Sequence, residues 1–214
     1  MKSQHFPSPW TLYGNAYMIL YKFKKAFVEK NINLKAPFAN NFKGGFGCLM
    51  LVDYQKADCG AYKELLLIPG QFKVGQHQLY SISDILVSTL ASVENGRKNW
   101  GIPKELADFE IQSLDKKTEK IIITQNNEPV LETVISAKGI SFPISTKLFS
   151  LKIIQEWDNQ QFITSPKSKG KGQLANIQSL KINDKLFPDI SQIKPLAAIK
   201  VSNFQMTFPK PQVL

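Results

Sequence analysis

Apolar residues along this chain recur more often at steps of two than at steps of three and four. Near the C-terminal end Phe204, Met206 and Phe208 alternate with Asn203, Gln205 and Thr207, the pattern of a half-buried strand. Lys120-Ile121-Ile122-Ile123-Thr124 and Val130-Leu131-Glu132-Thr133-Val134-Ile135 flank the turn-rich Gln125-Asn126-Asn127-Glu128-Pro129 and predict a hairpin. Ala137-Lys138-Gly139 predicts a turn into Ile140-Ser141-Phe142-Pro143. Further strands are predicted over residues 46–52, 62–68, 109–114, 148–156, 174–182 and 201–208. Helical spacing occurs twice. Phe23, Ala26, Phe27 and Lys30 predict a helix over 22–31; Leu90, Val93 and Arg97 predict one over 89–98, stopped by Gly101 and Pro103. Many short strands separated by turn residues imply a barrel or a sandwich.

Composition narrows the possibilities. A chain of 214 residues with 43% hydrophobic and 21% charged residues is an ordinary globular protein and can bury a core without disulfides. No internal repeat and no interdomain linker are visible, so residues 1–214 are expected to form a single domain. Cys48 and Cys59 are too few for a disulfide framework and are expected as small core fillers. His5 and His77 are too few for a zinc cluster, and neither has a nucleophile motif beside it, which argues against Ser-His-Asp and Cys-His chemistry. His77 is expected in a loop and Trp10 as a core plug. The longest apolar stretches, 16–21 and 65–68, fall far short of the ~20 residues of a spanning helix. With no apolar core near the N-terminus, the expectation is a cytoplasmic protein without a membrane partner.

The net charge is +10. Lysines cluster at Lys22, Lys24 and Lys25, and again at Lys167, Lys169 and Lys171 within a Ser/Gly/Pro-rich stretch expected as a solvated loop. Elsewhere they are scattered singly, which argues against nucleic acid as a partner. Attraction of small anionic substrates accounts for the charge at least as well.

The most unusual stretch runs Val93-Glu94-Asn95-Gly96-Arg97-Lys98-Asn99-Trp100-Gly101-Ile102-Pro103-Lys104-Glu105-Leu106-Ala107-Asp108-Phe109. A Gly- and Pro-shaped turn set into a sheet domain is suited to aiming one side chain into a cavity. Gly96-Arg97 followed by Pro103-Lys104 resembles the lysine motif of the acetoacetate decarboxylase-like superfamily, and Tyr62-Lys63-Glu64 resembles that family's Tyr-x-Glu segment. Trp100-Gly101, Leu106-Ala107 and the closing Phe204-Gln205-Met206-Thr207-Phe208-Pro209 are similar to family members as well. The resemblance implies a mainly β (α+β) fold, a central antiparallel β-barrel or strongly curved sheet with a few peripheral helices. It also implies a homo-oligomer, no cofactor and no metal.

In the family the lysine forms a Schiff base with a keto substrate. The resemblance therefore implies Lys104 as catalytic amine, Glu64 as its neighbouring carboxylate, and a small keto acid or ketone as substrate, with decarboxylation or related aldol and dehydration chemistry. An unperturbed lysine, pKa ~10.4, is almost wholly protonated at neutral pH, so such an amine needs an apolar pocket. Three departures stand out. Glu105 follows Lys104 where known decarboxylases carry a second lysine. No arginine occurs in Gly14-Asn15-Ala16-Tyr17, and no carboxylate lies between Lys43 and Asp53. Glu105 does little harm if it points to the other side of the backbone from Lys104. The residues leave some roles open: Glu64 as proton carrier or strand-start surface residue, Arg97 as carboxylate binder or loop brace, Trp100 as pocket lining or core. The competing reading of the whole chain is a non-catalytic ligand-binding barrel in which Lys104 pairs with an anion.

Overall fold

The computed structural model describes residues 4–32, 38, 40–148 and 151–214. In chain order the elements begin with β1 (Trp10–Tyr21), α1 (Lys25–Asn31), β2 (Phe42–Gly44), β3 (Gly47–Lys56), β4 (Tyr62–Ile68), β5 (Gln71–Val74), β6 (His77–Tyr80) and β7 (Asp84–Val87). They continue with α2 (Leu90–Trp100), β8 (Glu105–Leu106), β9 (Asp108–Ser113), β10 (Thr118–Gln125), β11 (Glu128–Ser145), β12 (Ile153–Trp157), β13 (Gln160–Thr164), β14 (Lys167–Ile182), β15 (Ala197–Phe208) and β16 (Gln212–Val213). The fold is mainly β. Ten strands form one nearly closed, barrel-shaped sheet in the order β8-β7-β4-β3-β1-β15-β14-β11-β10-β9. A second sheet has the order β16-β13-β12-β6-β5-β2. Among the described residues no helix is long and apolar enough to cross a membrane.

Closure follows from the chain path. β8 and β9 are the two ends of the large sheet, yet only Ala107 separates them. The Gln125 side-chain amide on β10 donates across this seam to Glu105 Oε2 and to the Leu106 carbonyl, each at 3.2 Å. Edges left open in a sheet are templates for unwanted pairing, and a nearly closed sheet exposes little of them.

Strand alternation divides the core into two clusters. One gathers Tyr17, Ile19, Leu49, Leu51, Leu65, Leu67, Ile121 and Ile123. The other gathers Trp10, Leu12, Val52, Tyr54, Tyr62, Leu66, Val87, Val93 and Trp100, so that α2 packs on the opposite face of the same strands. Side chains one residue apart on β4 thus serve different clusters.

The hairpin of β10 and β11 turns through Asn126 and Asn127, both at positive φ, which asparagine tolerates better than most residues. Several expectations need correction. Residues 137–139 do not turn the chain: β11 runs through them, with a register shift between Lys138 and Ser141 at Gly139, whose φ is +74°. The Lys167–Gly172 stretch is no solvated loop but the first part of β14, paired to β15 and to the far end of β11. Its lysines are exposed while Gly172 is buried, and a Cβ at Gly172 would meet the Phe142 ring at 2.8 Å. β1 and the β5–β6 hairpin were not anticipated, and His77, expected in a loop, opens β6 as an exposed residue. Of the strand expected over 148–156 the structure forms Ile153–Trp157; residues 149 and 150 lie outside the described residues. Cys48 and Cys59 are free and buried.

Two stability predictions follow. A Cβ at Gly14 would run into the Asp53 carbonyl oxygen on β3, and backbone cannot rotate aside. Gly14→Ala is expected to cost about 3 kcal/mol or more in urea unfolding. Burial raises the Asp84 carboxyl from its ordinary 3.8 to about 6, with Glu105 adding to the rise and Ser83 opposing it. Between those values the folded state holds the proton more tightly than the unfolded chain. Stability therefore falls as pH rises from about 4 to 6. Asp84→Asn is expected to stabilise by about 2 kcal/mol at pH 7 and by almost nothing below pH 4, measured by urea unfolding at the two pH values.

Candidate active site

The site is built by the crossover β7–α2–β8. β7 and β8 pair in parallel, so the chain must return over the sheet between them, and α2 is that return. Thr89 caps its N-terminus, accepting from the Ser92 amide at 3.3 Å. Gly101 ends it in the left-handed region at φ +64°, and the Ile102 amide reaches back to the Gly96 carbonyl at 3.3 Å. One flank of α2 is tied to the N-terminal segment: Asn95 Oδ1 accepts from the Phe6 amide at 2.7 Å and Asn99 donates to the Phe6 carbonyl at 2.8 Å. Lys104, two residues after the cap closes, runs back beneath this helix.

Gly96 makes the passage possible. A Cβ there would lie 2.6 Å from Lys104 Cδ and 2.9 Å from Cε. The amine emerges one turn earlier along α2, where it donates to Ser92 Oγ at 3.0 Å. It also donates to Glu64 Oε2 at 2.8 Å and to the Tyr62 hydroxyl at 3.3 Å. Three donors of an ammonium meet three acceptors. Glu64 Oε1 in turn accepts from the Tyr54 hydroxyl at 3.2 Å. Lys104, Glu64, Tyr54 and Tyr62 are each 3–4% exposed and Ser92 not at all.

Glu64 is held by register. Val52 on β3 and Val87 on β7 lie directly opposite it, and Tyr54 opposite Tyr62. The two tyrosine rings lie 4.6 Å apart, Phe204 meets Tyr54 edge-on at 5.7 Å, and the ammonium stands 4.8 Å from the Tyr62 ring centre. Burial, and then the Glu64 charge, push both phenols well above their ordinary range, so both hydroxyls stay neutral, Tyr62 accepting from Lys104 and Tyr54 donating to Glu64. Burial also raises the nearby Cys59 thiol to about 11, which keeps it from acting as a thiolate.

Lys104 and Glu64 are thus brought together, and Arg97 and Trp100 are placed elsewhere. The Arg97 guanidinium lies 5.0 Å above the Trp157 ring of β12, beside an open cleft of about 390 Å³ that Lys98 and Phe162 also border. Trp100 is 2% exposed, donates to the Pro209 carbonyl at 2.7 Å, and packs edge-on against Trp10 and Phe208. Glu105 is exposed on the outer side of β8, bonded by Gln125, away from the amine. Ser92 and Tyr54 were not anticipated. Ser92 carries a usable signal, standing four residues before Gly96 and hence on the same helix face.

A second opening, small at about 50 Å³, is bordered by Glu64, Asn15, Tyr17, Leu51, Ile121 and Lys200. There Lys200 pairs with Glu119 at 3.2 Å and lies 5.2 Å from the Tyr17 ring centre. Among the described residues no group of three or more His, Cys, Asp or Glu is placed to hold a metal ion.

No family model matches the sequence. Among curated proteins, Protein NEOXANTHIN-DEFICIENT 1 of Oryza sativa subsp. japonica is 26% identical over 123 residues, which span 56% of this chain and only 39% of the rice protein. Solved structures are similar over nearly the whole chain. Acetoacetate decarboxylase from Legionella pneumophila subsp. pneumophila superimposes with a TM-score of 0.77 at 14% identity, covering 100% of this chain and 92% of that one. An acetoacetate decarboxylase-like enzyme from Sphingomonas wittichii RW1 gives 0.71 at 10% identity, covering 97% and 93%. The enduracididine biosynthesis enzyme MppR, in complex with pyruvate, gives 0.62 at 12% identity, covering 99% and 92%. The chain has the acetoacetate decarboxylase-like fold.

The Gly96 contact yields a test. In an ordinary helix Gly→Ala adds about 1 kcal/mol of stability. Here it must push Lys104 off Glu64, and Gly96→Ala is expected to destabilise by about 1–3 kcal/mol. In a Lys104→Ala, Glu64→Gln background the same substitution is expected to stabilise. Urea unfolding of the four proteins checks both signs.

Proposed function

We propose that this chain is a single-domain Schiff-base enzyme whose nucleophile is Lys104 and whose proton carrier is Glu64, acting on a small keto acid or ketone. The observation that carries the reading is the 2.8 Å contact between Lys104 Nζ and Glu64 Oε2 inside a cluster that is almost wholly buried. The pyruvate named in the MppR complex supports a small carbonyl ligand for the fold.

The steps balance without a cofactor. Lys104 passes a proton to Glu64, and the neutral amine adds to the substrate carbonyl to give a carbinolamine. Glu64 returns the proton to the carbinolamine oxygen, water leaves, and a protonated imine remains. That cation draws electrons from the neighbouring carbon. Either an α-proton passes to Glu64, or, in a β-keto acid, the carbon–carboxylate bond breaks and carbon dioxide leaves. Both routes end in the same neutral enamine, which is reprotonated on carbon before water releases the product. Tyr54, donating to Glu64 Oε1, steadies the carboxylate through these transfers.

The exposed apolar side chains Ile140, Phe142 and Leu174 on β11 and β14 support a homo-oligomer, and the two free cysteines suit a reducing, cytoplasmic setting. One observation favours the rival reading of a non-catalytic ligand-binding barrel: every donor of the Lys104 ammonium is already taken within the protein.

Borohydride in the presence of a small ketone is expected to attach one adduct at Lys104, located by peptide mass mapping. Lys104→Arg keeps the charge and is expected to abolish the adduct. Glu64→Gln is expected to slow exchange of substrate α-hydrogens for deuterium by about 100-fold or more, and to lower trapping much less. Labelling spread over surface lysines and unchanged by Lys104→Arg would favour the non-catalytic barrel.

A further inference from the structure

We propose that residues 4–9 form a removable splint on α2, and that α2 bends at Gly96 when they lift, uncovering the Lys104 amine. The consequence for catalysis rests on the Schiff-base reading above; the closed and open states of the amine do not. In the resting arrangement Lys104 is 4% exposed and all three of its donors are met, so a carbonyl compound reaches it only if one wall moves. Glu64 and Tyr62 stand on β4, which is laddered to β3 along its length and to β7 from Glu64 onward. Shifting that strand breaks two rows of hydrogen bonds at once. Ser92 stands on α2, and a helix laid over a sheet moves without breaking a ladder.

α2 is built to bend in the middle. Its C-terminal half is pinned by Trp100, which is buried, donates to the Pro209 carbonyl at 2.7 Å and packs edge-on against Trp10 and Phe208. Its N-terminal half turns Ser92 and Val93 inward, while Leu90 and Glu94 are exposed. Gly96 separates the two halves. Glycine is the least helix-favouring residue apart from proline, and it is one of the places where helices kink. The 11 residues of α2 are too few to hold as a helix without tertiary contacts.

The N-terminal segment spans that point. The Phe6 amide donates to Asn95 Oδ1 at 2.7 Å, one residue before Gly96, and the Phe6 carbonyl accepts from Asn99 at 2.8 Å, three residues after it. Asn95 Nδ2 is shared between the Gln4 carbonyl at 3.2 Å and the Ala91 carbonyl at 2.9 Å, and the His5 ring nitrogen Nδ1 lies 3.2 Å from Asn95 Oδ1. The Trp10 indole donates to the same Phe6 carbonyl at 3.0 Å and so joins the splint to β1. Asparagine is a poor helix former, yet two buried asparagines flank Gly96, and both are spent on residues 4–6. The grip is light enough to release: Phe6 packs against the core, while Gln4, His5, Pro7 and Pro9 are exposed. Lifting the segment removes the brace on both sides of Gly96, and Ser92 leaves the amine with the first half of the helix.

Competitive methylation tests the splint independently of any ketone. Formaldehyde with cyanoborohydride is applied in a short pulse to the full chain and to a chain lacking residues 1–6. The label at Lys104 is compared by peptide mass mapping with that at the exposed Lys116 and Lys185. Loss of the segment is expected to raise labelling of Lys104 by about 10-fold or more relative to the two reference lysines, with faster amide exchange in residues 90–96 and not in β4. Asn99→Ala removes one bond of the splint and leaves the segment in place; it is expected to give a smaller rise of the same kind, and it decides alone if the shorter chain does not fold. An unchanged Lys104 rate in the folded variants overturns the splint. So does a rise matched by faster exchange in β4, which marks general loosening of the fold. If Lys104 opens to formaldehyde but borohydride traps no ketone there in any of these proteins, the splint stands and the Schiff-base reading falls.

Discussion

A buried ammonium is tolerable only when all three of its donors are met and its charge is paired, and the centre of this protein is arranged around that demand. The acceptors for Lys104 come from two separate elements, Glu64 and Tyr62 on β4 and Ser92 on α2, while the lysine arrives from the approach to β8. A displacement of either element leaves a charge unpaired. Removing one partner of such a pair costs about 3–5 kcal/mol, a large part of the 5–15 kcal/mol that holds a typical domain together. The crossover, its two caps, the glycine at 96 and the tether to Phe6 therefore act as one unit. Each fixes the height and rotation of α2 over the sheet.

The same pair links stability to chemistry. A contact that neutralises the amine in the resting protein is also the shortest route for its proton to leave, since both oxygens of Glu64 are bonded and the carboxylate cannot swing away. Both tyrosines stay neutral, Tyr54 donating to Glu64 and Tyr62 accepting from Lys104. Around the pair the strand row supplies only apolar groups, Val52 and Val87.

Much of the architecture was legible along the chain because strand and helix periodicities are local. The Phe204–Phe208 alternation, the 120–135 hairpin and the helix ending at Gly101 all report which side of an element meets the core. Where the local signal was ambiguous, the reading went astray for identifiable reasons. Lys167–Gly172 does alternate, but its inward positions are Ser168, Gly170 and Gly172, chosen because Phe142 and Phe204 fill the space above the glycines. Small inward residues look like loop composition. β1 was missed because its apolar residues face both clusters, Ile19 and Tyr21 on one side and Trp10 and Leu12 on the other, which erases the period of two. At residue 139 a bulge and a turn begin with the same positive-φ glycine.

The candidate site divides in the same way. The linear sequence by itself determined the motif pair, Tyr62-Lys63-Glu64 and Gly96-Arg97 with Pro103-Lys104, and the absence of an arginine over residues 14–17 and of a carboxylate between Lys43 and Asp53. Only the tertiary structure decided that Glu64 meets Lys104, that Ser92 and Tyr54 complete the cluster, that Glu105 faces away, and that Arg97 and Trp100 serve other contacts. The physical reason is range. Side-chain identity and periodicity are properties of neighbours along the chain, whereas a hydrogen bond between residues 40 apart exists only once strand register and helix placement have brought them within 3 Å.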